Sequence, residues 1–220
     1  MNKRVFAKNT LNTWHPMNSS KSAILKDKLN DTCLNQLFLE ARSFNVWQDR
    51  EVSIELIHEL YDLFKMGPTS ANGCPARFLI LVSEEAKKRL APCLMEKNIH
   101  KTIQAPVNII VAWETKFYEY FNILTPNINW KSFFENKPEL IHSTVFRNSS
   151  LQGAYMILAA RALGLDCGPI SGFDNNKVDL EFFANTTWKS NFICNIGYGD
   201  ISGINQRNPR LDFSTACKVI

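Results

Sequence analysis

The spacing of apolar positions changes along the chain, and each spacing predicts an element. Leu34, Leu37, Phe38 and Ala41 recur at helical intervals, which predicts a helix over about 33–44. Ser53 is a good N-cap residue, and Ile54, Ile57, Leu60, Tyr61 and Phe64 behind it give a second amphipathic helix that Gly67-Pro68 ends. The run Gly67-Pro68-Thr69-Ser70-Ala71-Asn72-Gly73-Cys74-Pro75 is dense in turn formers and predicts a loop. Residues 76–82 read as a strand, and Ser83 then caps a charged helix to about Met95. Residues 107–113 are apolar apart from Asn108, the pattern of a strand buried on both faces. Between 114 and 142 lie Phe117, Tyr118, Tyr120, Phe121, Trp130, Phe133 and Phe134 with no clear period. The longest helix is expected over about 143–163, with Gly164 closing it as a C′ residue. A short strand near 166–170, a helix near 175–184 and a strand over 190–198 follow, and the tail from Gly199 is irregular and polar. Strands alternate with helices, so the class is α/β or α+β.

Composition narrows the picture without naming a job. The chain has 220 residues, 45% of them apolar and 21% charged, which suits one domain of ordinary size or two small ones with a sizeable core. No apolar run approaches the roughly 20 residues that cross a bilayer. The net charge is +4, and the densest basic cluster, Lys87-Lys88-Arg89, sits beside Glu84-Glu85; a nucleic-acid surface needs a broader stripe. Six cysteines at 33, 74, 93, 167, 194 and 217 form no CxxC pair, and the histidines at 15, 58, 100 and 142 lack metal-site spacing. Free thiols in a reducing cytoplasm, and no metal, are the reading. Residues 1–26 carry Lys3, Arg4, Lys8, Lys21 and Lys26 and no acid before Asp27. Residues 1–30 are therefore expected to be a flexible arm, with Met17 as an alternative first residue, and residues 31–220 the folded domain.

Common catalytic signatures are missing. There is no phosphate-binding P-loop. Gly197-Tyr198-Gly199 is followed by Gly203, one residue late for a dinucleotide fingerprint, and Ser171 is one place off a nucleophile elbow. Cys74 reads as a small packed thiol. The positive signal is a set of polar clusters in chain-turning segments: Arg42-Ser43-Phe44-Asn45, Pro68-Thr69-Ser70-Ala71-Asn72, Asn98-Ile99-His100-Lys101 and Pro169-Ile170-Ser171-Gly172, with Arg207 and Arg210 in the tail. Amides and hydroxyls suit the polar edge of a cofactor, and guanidinium groups suit a phosphate. Any one of these clusters alone reads as a cap or a turn.

Together they resemble a family. The loop Gly67–Pro75 resembles the PSSxNxQPW stretch of the FMN-dependent nitroreductases, and Ala105-Pro106 resembles that family's approach to its central sheet. Residues 161–173, running Arg161-Ala162-Leu163-Gly164 to Pro169-Ile170-Ser171-Gly172-Phe173, look like its ALG…PIxGF segment, and Asn195 to Gly199 with Pro209-Arg210 close the pattern. The resemblance runs from about 33 to 220. The closer likeness is to the RutE/HadB branch, on Phe146-Arg147-Asn148-Ser149-Ser150-Leu151-Gln152, Ala112-Trp113-Glu114 with Phe117-Tyr118-Glu119, and Lys189-Ser190-Asn191.

The resemblance implies an α+β (α/β three-layer) fold with a central mixed sheet flanked by helices, built as an intertwined homodimer with two FMN sites at the interface. It implies that Arg42 and Ser43 hold the phosphate and ribityl chain. Asn45 stands where relatives often carry a lysine or arginine near flavin N1 and O2, leaving Lys101 to supply charge. Asn98 and Lys101 match positions on the pyrimidine edge. Thr69, Ser70 and Asn72 match the loop offered by the partner subunit. Pro169, Ile170, Ser171 and Gly172 would cover the ring near N5, with Ser171 in place of a frequent glutamate. Arg210 matches the phosphate arginine of the tail, with Arg207 as a second candidate. The implied chemistry is centred on the flavin, with NADH or NADPH as hydride donor in a ping-pong cycle and no side-chain catalyst. The branch implies reduction of malonic semialdehyde to 3-hydroxypropionate in pyrimidine catabolism. Nitroaromatic or quinone reduction is the alternative acceptor chemistry, and a flavin-binding redox protein with little turnover is a third reading. The aromatic stretch 114–142 reads equally as a lid over the flavin or as dimer core and ordinary packing.

Overall fold

The strand Val107–Glu114 is apolar at nearly every position, and the fold is organised by the burial of both its faces. The computed structural model describes residues 27–220, so the expected arm lies, up to residue 26, outside the described residues. From Asp31 onward the elements run α1 (Asp31–Leu34, continued by a π-helical turn Asn35–Leu39), α2 (Ile54–Phe64), β1 (Ala76–Leu81), α3 (Glu84–Leu90), α4 (Glu96–Ile103) and β2 (Val107–Glu114). Then come α5 (Phe121–Leu124), α6 (Lys131–Phe134), α7 (Pro138–Ala162), β3 (Asp166–Ile170), α8 (Asn175–Phe183), β4 (Trp188–Gly197) and α9 (Phe213–Ala216).

The four strands lie in the order β1-β2-β4-β3, and all three pairings are antiparallel. Parallel pairing among the described residues is confined to an isolated Ser43–Cys167 bridge beside β3. Side chains alternate across the sheet. Val107, Ile109 and Val111 join Cys167, Cys194 and Ile196 on one face, against Ile57, Leu60 and Phe64 of α2 and Met156, Ala159 and Ala160 of α7. Ile110, Ala112 and Ile193 face the other way, onto Leu90, Cys93, Val178 and Phe183 from α3, the turn after it, and α8. The result is the expected three-layer arrangement, helices on both sides of one sheet. Among the described residues no helix is long and apolar enough to cross a membrane.

Three expectations about elements need correction. The helix expected over 33–44 stops at Leu39; beyond it the Phe44 N–H donates to the Cys167 carbonyl at 3.0 Å, and Phe44 and Trp47 are buried, so extended backbone beside β3 replaces further helix. Residues 98–101 are not a chain-turning segment. They lie inside α4, whose buried face carries Asn98, Thr102 and the following Ala105. Two of those three are polar, so the apolar period that would announce a helix is hidden. The longest helix begins at Pro138, a residue that suits the first helical position, rather than near 143.

The aromatic stretch is largely core. Phe117, Phe121 and Phe134 are buried with Val145 of α7, with ring centroids 5.7, 4.9 and 5.8 Å apart in the three pairs. Tyr120 and Ile123 remain exposed.

Candidate functional site

Four separated segments are linked along β3 and the turn that follows it. Phe44 N–H on the Cys167 carbonyl holds 42–45 alongside the strand. A Cβ at Gly168 would stand 2.4 Å from the Phe44 carbonyl oxygen, so the backbones approach closely only because that residue is glycine. The Arg42 guanidinium donates to the Asn205 carbonyl, and the Arg207 guanidinium donates to the carbonyls of Leu39 and Ala41 at 2.8 and 2.9 Å. The tail is thereby bonded to the segment that carries Arg42 and Ser43. On the other side of β3, Gly172 accepts from the Met95 N–H at 3.0 Å and from the Asn98 amide at 2.8 Å. A Cβ at Gly172 would come within 2.2 Å of that amide nitrogen. Arg42, Ser43, Asn45, Asn98, Lys101, Pro169, Ile170, Ser171, Gly172 and Arg207 thus belong to segments that are directly hydrogen-bonded or adjacent to one another.

Helix α4 is fastened from three directions. Gly172 holds its N-terminal end. Below it, the buried Asn108 amide donates to the Thr102 carbonyl at 2.8 Å and to Asn195 Oδ1 at 2.9 Å, and the Asn195 amide donates to Thr102 Oγ1 at 3.2 Å. At the last turn, the Trp47 indole N–H donates to the Lys101 carbonyl at 2.9 Å.

The electrostatics of this cluster are one-sided. Among the described residues, Arg42, Lys101, Arg207 and Arg210 form no ion pair with a carboxylate. Burial pushes the Lys101 ammonium below its ordinary value, and the charge of Lys97 beside it acts in the same direction. A half-buried cation without an anion, next to guanidinium groups aligned by backbone carbonyls, suits an anionic ligand.

Thr69, Ser70 and Asn72 stand apart from this cluster. Their loop is pinned to α7 and α5: the Ser70 N–H donates to Asn148 Oδ1 at 2.8 Å, and the Asn72 amide donates to the Leu124 carbonyl at 3.1 Å. Ala71, Asn72 and Cys74 have φ of 53°, 53° and 39°, the left-handed region that an alanine or cysteine adopts only when its surroundings impose it. The loop forms one end of a cleft of about 870 Å³ that α2, the outer edge of β1 and the exposed Tyr120 and Ile123 also line. Arg210 is exposed and donates locally, to the carbonyls of Asn208 and Pro209.

Three residues that hold these segments are not among the site residues expected from sequence. Trp47 is one. Asn148 and Gln152 are the others: they lie one helical turn apart on α7 and accept from Ser70 and Ala76, the latter at 2.9 Å. Buried amides at i and i+4 in a helix of otherwise mixed polarity are the signal that marks them.

Comparison with known proteins gives the family. The model of the Nitroreductase family matches residues 39–198. A provisionally named NADH dehydrogenase/NAD(P)H nitroreductase of Burkholderia lata is 54% identical over 191 residues, covering 87% of this chain and 98% of that protein. One of the same name from Ralstonia nicotianae is 51% identical over 192 residues, again 87% and 98%. Among solved structures, a provisionally named NAD(P)H:FMN oxidoreductase of Staphylococcus epidermidis superposes with a TM-score of 0.76 at 19% identity, covering 89% of this chain and 98% of that one. A provisionally named nitroreductase of Exiguobacterium sibiricum, solved in complex with FMN, gives 0.75 at 18%, covering 89% and 100%. With a family match over most of the chain and relatives at half identity across it, this protein belongs to the Nitroreductase family.

Proposed function

We propose that the chain is an FMN-dependent NAD(P)H oxidoreductase. The observation that carries this reading is that Arg42, Arg207, Asn98 and Lys101 lie on segments bonded along β3 and to the turn after it, with no ion-paired carboxylate on the three cations among the described residues. The donor set fits FMN by its chemistry: guanidinium and hydroxyl groups for a phosphate and ribityl chain, and an amide and a cation for a polar ring edge. Bound FMN supplies two-electron hydride chemistry, which side chains of this composition do not. The work of the protein is to bind, orient and tune. Arg42, Ser43 and Arg207 hold the phosphate end. Asn98, fixed by Gly172, orients the ring, and Pro169 to Gly172 shape the surface facing it. Lys101 stabilises negative charge that develops at the ring edge on reduction. Asn45 contributes an amide where a second cation would otherwise stand. Arg210 serves the phosphate less directly than Arg207.

Thr69, Ser70 and Asn72 complete the site in this reading from a second copy of the chain, so the functional unit is a homodimer. Their separation from the β3 cluster supports that arrangement. The substrate is a small molecule. The stretches Phe146 to Gln152 and Lys189 to Asn191 favour malonic semialdehyde as the acceptor, and the nitroreductase names of the relatives favour nitro compounds, with quinones as the related alternative.

The first test is the visible absorption spectrum of the purified protein, before and after anaerobic addition of NADH or NADPH. A flavin spectrum that bleaches is expected. A colourless protein that also fails to take up FMN sinks the reading. Competition between malonic semialdehyde and a quinone, compared by kcat/KM, then decides the acceptor. Bleaching without turnover on any acceptor would leave a flavin-binding redox protein.

A further inference from the structure

The carbonyl of Lys101 is at the frayed end of α4, where helical carbonyls lose their intrahelical partners. The N–H four residues on, that of Ala105, turns instead to the Thr102 carbonyl at 3.2 Å. The Lys101 carbonyl is taken up by the Trp47 indole N–H at 2.9 Å, across 54 positions of sequence. Trp47 is itself tightly held. It is 9% exposed, packs with Phe44 and Ala105, and its backbone bridges Gly199. Cβ atoms added at Gly168 and Gly197 would stand 3.3 and 3.2 Å from its ring, so the indole occupies a slot that two glycines open. The same indole terminates the segment that carries Arg42, Ser43 and Asn45. One side chain therefore ties the phosphate-side segment to the helix that presents Asn98 and Lys101.

We propose that Trp47 is a positioning residue of the flavin site: its indole N–H fixes the last turn of α4 and so holds Lys101 toward the edge of the ring where charge gathers on reduction. The inference rests on the FMN reading above and adds a residue that does not touch the cofactor. A residue that only stabilised the fold would weaken oxidised and reduced FMN alike. One that acts through Lys101 weakens the reduced form more, because Lys101 meets the extra negative charge only there.

The test is the ratio of dissociation constants for oxidised and reduced FMN in the wild type, Trp47→Phe, Lys101→Gln and the double variant. Trp47→Phe keeps a ring in the slot and removes the donor. The ratio is expected to fall about fivefold in Trp47→Phe, the scale of one net hydrogen bond, and the double variant to fall no further than Lys101→Gln alone. An unchanged ratio in Trp47→Phe, or two losses that add in full, overturns the proposal while leaving FMN binding intact. A wild-type chain that binds no FMN overturns the flavin reading and this inference with it. Should Trp47→Phe not fold, the indole N–H resonance of Trp47 is followed in wild-type protein. Slow solvent exchange and a shift between oxidised and reduced FMN are expected, and a freely exchanging, insensitive proton overturns the role.

Discussion

At the scale of single residues, the two tail arginines are the sharpest contrast. Sequence resemblance points first to Arg210, whereas the hydrogen bonds of Arg207 run to the segment bearing Arg42. Charge-assisted contacts are about twice as strong as neutral ones. Arg207→Ala should therefore lower FMN affinity on the order of tenfold, with Arg210→Ala well behind it. Cofactor occupancy after purification and titration of the stripped protein measure both, and the reverse order would refute the ranking. Lys101 makes a pH prediction whose sign follows from its depressed value. Between that value and the ordinary one for lysine, the folded ligand-free chain binds fewer protons than the unfolded chain. Stability of the ligand-free protein thus rises with pH across that window. Affinity for reduced FMN, whose added charge the protonated Lys101 meets, falls across it. Lys101→Gln should flatten the fall in a titration series with reduced FMN, and an identical slope in wild type and variant would remove Lys101 from the account.

At the scale of elements, what could be read from sequence was what the apolar period carries. The helix Ile54–Phe64 has its expected Ser53 cap, with the Leu56 N–H donating to Ser53 Oγ at 3.2 Å. The two-sided burial of β2 follows from its apolar run Ile109 to Trp113. What could not be read was wherever buried positions are polar. In α4 the buried face includes Asn98 and Thr102, and in α7 it includes Thr144, Asn148, Ser149 and Gln152. Those amides are invisible to hydropathy because their cost is offset by specific partners far away in sequence. For the same reason the segments Arg42–Asn45 and Asn98–Lys101 were recognisable as site elements by resemblance, while the bonds that bring them together were not. The ladder on α7 is open to direct test. Asn148→Ala leaves the Ser70 N–H without its acceptor and should cost about 1–3 kcal/mol in chemical denaturation. Faster amide exchange at Ser70 is expected alongside it. A variant of unchanged stability and exchange would mean that water replaces the amide at no loss.

At the scale of the whole molecule, the separated halves of the site and the pattern of exposed apolar residues point the same way. The outer face of α7 carries Phe146, Leu151 and Tyr155, each at least 40% exposed, and a shallow groove runs among Ser143, Phe146, Ser150, Leu151 and Ala154. Ser143, Phe146, Ser150 and Ala154 recur at intervals of three and four, and Arg147, Leu151 and Tyr155 form the neighbouring row. In the homodimer proposed above, this face is the one a second copy related by a two-fold axis would cover. The exposed Ile54, Tyr61 and Leu63 of α2, a helix packed beside α7, widen the apolar area. If a second copy covers it, the strained Thr69–Cys74 loop is held in place for a neighbour's ligand, which would explain why Ala71 and Cys74 keep backbone angles that cost each about 1–3 kcal/mol. Leu151→Arg places a charge on this face without touching either half of the site. Sedimentation velocity should then show a dimer in the wild type and a monomer in the variant, and the monomer should lose FMN although Arg42, Asn98 and Lys101 are intact. A monomeric variant that retains FMN at wild-type affinity would refute the completion of the site by a second copy and confine the cofactor to the β3 cluster.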